Sequence, residues 1–276
     1  MVGVRTPRTD TALLLGGGAI YLAALAVLVG TGHTEVRFSA DDSDTQPIWL
    51  LWIPAIAGLC LAWMVPPRES AADPFADTGT RALTIRTWLL AGAAVAFTVA
   101  LYLSPATDIW FLALKALLLL AIPLALRIVT WREWARLDVR GRWLRPLPAV
   151  IAFVLVASVL RPGSEVATPD VLTIVVVFLI NAVLEEVFYR FWLQTRLESR
   201  YGRWPAILVT SLLWASWHAA IHGGEGLAVD LAAVVLNIGV TGLFLGYLWS
   251  RHRNPWLNIV VHGFINAPIA MFIAMA

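Results

Sequence analysis

Two adjacent glutamates, Glu185 and Glu186, interrupt an apolar stretch over 171–192, and Arg190 follows one helical turn after the second. An ionisable side chain at membrane depth costs free energy unless it is paired or lines a wet cavity, so it marks a functional site by default. Glu186 and Arg190 are four residues apart and share a helix face as an ion pair. Glu185 is rotated by about 100° from that face. One glutamate then neutralises the arginine, while the other is free to act as a base. A purely architectural ion cluster joining two helices fits the same residues.

Two further polar islands follow. His218 and His222 lie one turn apart in the next apolar segment, and His262 and Asn266 one turn apart in the last. Glu186 lies sixteen residues before Gly202 and His218 sixteen after it. If both helices run to a turn at Tyr201 and Gly202, carboxylate and imidazole sit at one depth and face each other. His262 and Asn266 present two donors on one face, as stabilising a developing oxyanion requires. Each histidine alone is also compatible with helix packing, and Asn and His serve as interhelical hydrogen-bonding groups in membranes. Three such islands in a chain with few polar residues at depth favour a buried catalytic site. Zinc is the chemical rival, because His218 and His222 have the spacing of a helical ligand pair. The glutamate of an HExxH motif is missing, however, since Ala219 follows His218. Neither a metal nor a cofactor is expected.

The elements that must carry these residues are membrane helices. The chain has 276 residues, 59% hydrophobic and 14% charged, with mean hydropathy +0.76, outside the range of soluble globular domains. Segments near 12–31, 47–66, 84–104, 108–128, 146–161, 170–193, 205–222, 227–249 and 255–275 approach the roughly 20 residues that cross a bilayer core. The expected fold class is therefore an all-α polytopic transmembrane bundle of about nine spans, or eight if 146–161 does not cross. Pro54, Pro123 and Pro268 lie within spans, where neighbouring groups satisfy the freed backbone. Trp49, Trp52, Trp88, Trp110, Trp131 and Trp134 stand near span ends as headgroup anchors.

Loop charges alternate. Arg5 and Arg8, then Arg68, Arg81 and Arg86, then the run from Arg127 through Arg132, Arg136, Arg140 and Arg142 to Arg145, then Arg196, Arg200 and Arg203, then Arg251 and Arg253 fall on one side. Only Arg37 and Arg161 flank the other, which carries Glu35, Asp41, Asp42, Asp44, Asp108, Glu165, Asp170 and Glu225. The positive-inside rule then gives a multi-pass cell-membrane protein with a cytoplasmic N-terminus. The formal charge of +2 does not indicate nucleic-acid binding. The expected partners are membrane lipid and a membrane-associated peptide or protein substrate. Cys60 is the one cysteine, which excludes an intrachain disulfide and a cysteine metal cluster. The stretch near 12–29 is read as a retained anchor, too long for a signal peptide. Functionally the chain divides into N-terminal helices, 1–165, and a catalytic core, 166–276. Lys115 is the exception in the first part, and it is expected to snorkel to the nearby helix end.

The motifs resemble a known family. Glu185-Glu186-Val187-Phe188-Tyr189-Arg190 matches EExxxR, Trp214 to His218 is similar to FxxxH, and His262 to Asn266 is similar to HxxxN, in the same order. These are the motifs of the CPBP family of intramembrane glutamic endopeptidases, which includes prenyl-CAAX processing proteases and proteins of bacteriocin processing and immunity. The resemblance implies that Glu185 activates water, that His218 holds and polarises it, that His262 and Asn266 form the oxyanion site, and that Glu186 and Arg190 support them. Trp214 stands where the family usually has Phe, a departure that bears on pocket shape more than on chemistry.

The function expected is hydrolysis of a peptide bond in a membrane-associated substrate by glutamate-activated water. A non-proteolytic scaffold or immunity-type protein of the same fold, a zinc-dependent protease and a transporter are the alternatives. No inverted repeat supports the transporter. Nineteen Arg against one Lys points to a GC-rich bacterial genome, where prenylated CAAX proteins are not the expected substrate.

Overall fold

A computed structural model describes residues 7–37, 44–67, 69, 72–104, 107–136, 143–160 and 175–266. Arg5, Asp41, Asp42, Arg68, Arg140, Arg142, Arg161, Glu165, Asp170 and Pro268 lie outside the described residues.

The protein is an all-α membrane helix bundle. Helices α1 (Pro7–Thr31), α2 (Ile48–Met64), α3 (Thr80–Leu103), α4 (Asp108–Ala125) and α5 (Leu147–Leu160) precede α6 (176–201), α7 (Arg203–His222), α8 (Leu227–His252) and α9 (Pro255–Asn266). Among the described residues, α1 from Thr9, α3, α4, α7 and α8 are long and apolar enough to cross a membrane, while α2 and α5 are shorter apolar helices. Each expected segment contains a helix, although Pro47, Val65, Pro66, Ser104, 126–128 and Pro146 at the segment ends lie outside it. Leu15, Leu22, Leu103 and Val159 point apolar side chains outward, as a lipid-facing surface allows.

Among the described residues the bundle has one large apolar cluster. Leu90 and Phe97 of α3, Leu119 of α4 and Phe153 of α5 join Phe188, Trp192, Ile207, Phe244 and Val261. Phe153 stacks on Phe244 with ring centres 4.8 Å apart. A smaller cluster packs Ala24 and Leu28 of α1 against Ala232, Val235 and Leu236 of α8. Strands β1 (Glu35–Arg37) and β2 (Thr45–Pro47) pair antiparallel, Val36 opposite Gln46. Arg37 of this hairpin donates to the carbonyl of His222 at 2.5 Å and to that of Gly223 at 3.3 Å, so it clamps the α7–α8 connection.

Two expectations change in three dimensions. Trp49, Trp88, Trp110 and Trp131 are exposed, but Trp52 donates to the Leu236 carbonyl at 2.7 Å and Trp134 packs on Phe191. Trp52 ties α2 to α8 through its one donor, and the half-exposed Trp88 likewise ties α3 to α6 by donating to the Tyr201 hydroxyl at 2.9 Å. Arg196 and Arg253, read from the sequence as loop charges, are buried. Arg196 makes a two-oxygen contact with Glu133 at 2.8 and 2.7 Å, and Arg253 reaches Glu198 at 2.5 Å. Such partners offset the cost of taking these two guanidinium groups out of water.

The charge alternation predicts sidedness that cysteine labelling can check. With Cys60 replaced, a cysteine at the exposed Glu225 should react with an impermeant thiol reagent in intact cells, and one at the exposed Arg132 should not. The opposite pattern would invert the topology.

Candidate active site

The polar residues converge where α4, α6, α7 and α9 meet. Helix α6 is not regular. Val183–Glu185 is one α-helical turn between two stretches, Val176–Ala182 and Glu186–Gln194, wound with wider i→i+5 hydrogen bonds. Such windings occur frequently at functional sites. Here they put the two glutamates at the junction, and the neighbours face different partners.

Glu185 is 2% exposed. Its Oε1 accepts from the Lys115 ammonium and its Oε2 accepts from Trp214 Nε1 at 2.5 Å. Lys115 thus does not snorkel. It is fully buried, and its Nζ also donates to Asn181 Oδ1 at 2.9 Å. Two turns from a helix end, the stem could reach water, but a carboxylate and an amide supply better partners inside.

Glu186 turns toward α9. Its Oε1 accepts from His262 Nδ1 at 2.8 Å and its Oε2 from Asn258 Nδ2 at 3.0 Å. Arg190 Nε lies 3.6 Å from Oε2, the ion pair that the i,i+4 spacing predicts. That contact is longer than a hydrogen bond, and the guanidinium carbon lies 4.9 Å from the Trp214 ring centre. Two carboxylates face one ammonium and one guanidinium, so formal charge balances within the buried cluster.

His262 bridges the pair, with Nε2 3.7 Å from Glu185 Oε2. A carboxylate only accepts, so His262 Nδ1 carries a proton. His218 does not bond to either glutamate. Its Nδ1 donates to the Trp214 carbonyl at 3.0 Å, and its ring stacks on Trp217 at 3.6 Å. That assigns the neutral ring a bare, accepting Nε2. The side chain that meets Glu185 from α7 is Trp214, one turn earlier than His218.

The turn at Gly202 that sets this level has φ of 90°, a left-handed conformation that suits glycine. Gly242 of α8 sets the spacing on the other side. A Cβ there would lie 3.0 Å from Ser211 Cβ and 3.1 Å from Trp214 Cε3.

Asn266 stands apart, exposed at the last described position of α9. His222 is not joined to the carboxylates either. Its ring centre is 5.9 Å from that of His218, and among the described residues no three His, Cys, Asp or Glu side chains converge as metal ligands.

Sequence reasoning missed three participants. Asn258 is one turn before His262, a spacing visible in the sequence. Asn181 is one turn before Glu185 on α6, likewise visible, whereas Lys115 of α4 is joined to the site only by long-range packing. The Trp214 departure proves chemical, since phenylalanine has no N–H to give Glu185.

A cleft lined by Leu51 and Pro54 of α2, Phe153 and Val154 of α5, Ile238 of α8 and Ile265 of α9 is also lined by Trp214. Its lining is mostly apolar, and Trp214 is the residue it shares with the polar cluster.

Residues 167–268 match the family model described as Rce1-like, type II CAAX prenyl endopeptidase. No curated protein and no solved structure matches the chain. The matched stretch contains all three motifs, so the CAAX-protease resemblance holds over it. It gives the class of activity, peptide hydrolysis at a membrane.

Proposed function

We propose, from the CAAX-type endopeptidase family that residues 167–268 match, that this protein cleaves membrane-associated peptides with water activated by Glu185. The observation that carries the reading is where the two glutamates face. Glu186 is turned to His262 and Asn258 of α9 and to Arg190 of its own helix. Glu185 Oε2 accepts from Trp214, the residue that also lines the apolar cleft, and has a second lone pair to offer.

In this reading the substrate enters along the apolar cleft and its scissile carbonyl stops beside Trp214. Water held by Glu185 and by the bare Nε2 of His218 loses a proton to Glu185 as its oxygen adds to the carbonyl carbon. The tetrahedral oxyanion is stabilised by a donor on α9. His262 is the α9 side chain beside Glu185, and with Nδ1 committed to Glu186 its Nε2 donates to the oxyanion when the ring carries both protons. The C–N bond then breaks, and the proton on Glu185 passes to the leaving amine. No covalent acyl-enzyme forms.

The chain is accordingly multi-pass with a cytoplasmic N-terminus, and its 166–276 part is the catalytic core. The test is cleavage of a library of membrane-tethered peptides by the detergent-purified protein beside a Glu185→Ala control. Products that appear with wild type and not with the control support the reading; equal products, or none from either, oppose it.

A further inference from the structure

Lys115 is the chain's one lysine, and it comes from α4, outside the stretch that matches the endopeptidase family. An ammonium is a compact charge with three rotatable donors. Two of them go to Glu185 Oε1 and Asn181 Oδ1. The charge also lies 4.4 Å from the Phe111 ring centre and 5.0 Å from that of Trp217, within reach of a cation–π attraction. Trp217 in turn stacks on His218. The cage therefore joins both groups assigned to the water.

We propose that Lys115 is a positioning residue for hydrolysis: it grips Glu185 through Oε1, so that Oε2, beside Trp214 and His262, is the oxygen presented to water. The inference rests on the reading of Glu185 as the base. A carboxylate held at one oxygen cannot swing about its Cγ–Cδ bond and exchange the two. Holding a reacting group in an attack geometry is worth large factors in rate, and a displacement of about 1 Å costs about 10²-fold. Lys115 itself neither gains nor loses a proton in the cycle. When Glu185 takes the proton of water, Asn181 and the two rings still surround the ammonium, and the ion pair is restored when that proton leaves with the amine. A helix that served only to fill the bundle would need no charge here.

The single lysine makes the test direct. Protein labelled with ¹⁵N at lysine Nζ has one lysine side-chain signal. That signal should move in Glu185→Gln and stay in place in Glu225→Gln, which alters an exposed carboxylate. An unmoved signal in Glu185→Gln would overturn the pairing. With a peptide that the wild type cleaves, Lys115→Met should lower kcat by about 10²-fold while KM is unchanged. Wild-type kcat in a folded Lys115→Met protein would overturn the positioning role. The nitrogen signal needs no Lys115 variant, so a Met variant that does not fold leaves that arm standing. A wild-type preparation that cleaves nothing would count against the base assignment, and the signal would still decide whether Lys115 holds Glu185.

Discussion

Glu185→Gln should abolish cleavage, whereas Glu186→Gln should retain measurable turnover. The first variant keeps size and loses the proton acceptor, so the expected loss is about 10⁴-fold, the upper end of what a positioned base contributes. Its amide also places an N–H₂ against Lys115 or Trp214, both of which only donate. Glu186→Gln changes a group that holds other groups. One amide oxygen can still accept from His262 Nδ1, but the amide nitrogen then faces Asn258 Nδ2 and Arg190, and the arginine loses its carboxylate. Breaking a buried ion pair by removing one partner costs about 3–5 kcal/mol of stability. The second variant should therefore show a lower thermal midpoint together with residual kcat/KM. Both are read by measuring turnover and unfolding on the same detergent preparations. A dead but stable Glu186→Gln beside an active Glu185→Gln would reverse the two roles.

The second large effect separates glutamate–water chemistry from zinc chemistry. His218→Ala removes the ring whose Nδ1 is fixed by the Trp214 carbonyl, and turnover should fall by about 10²–10⁴-fold, the range for a lost acid–base partner. His222→Ala should stay close to wild type. Its ring is not bonded to either glutamate, and the anchoring that Arg37 supplies at this position goes to the backbone carbonyl, which alanine keeps. In a zinc enzyme with His218 and His222 as ligands, both variants would be severely impaired and exhaustive chelation would stop the reaction. Turnover and bound zinc measured before and after chelation discriminate the two. Stoichiometric zinc whose removal stops cleavage and whose return restores it would retire the metal-free reading.

The helices were legible because apolar runs of membrane length have little alternative, and the turn at Gly202 because it separates two such runs. The depth of Glu185, Glu186 and His262 followed from the same pattern. What a helical wheel could not show is α6 itself: over Glu186–Gln194 the wider winding changes which residues share a face. That is why Trp214, not His218, meets the glutamate from α7. Lys115 was hidden for a different reason. It is 70 residues from Glu185 in the chain, and from sequence its distance to a helix end outweighed a partner that only folding provides. Arg196 and Arg253 misled similarly, because counting arginines for topology treats every loop cation as solvated.

Gly242 has no functional group, yet it fixes the margin for positional error at the carboxylate. Its hydrogen occupies the space where a methyl would press on Ser211 and on the six-membered ring of Trp214, the same indole whose nitrogen reaches Glu185. Drift in this sequence is therefore constrained at a residue that chemistry alone would ignore. A change at Gly242 as small as one carbon would be inherited as a tilt of the indole, and felt two helices away as a base aimed slightly wrong.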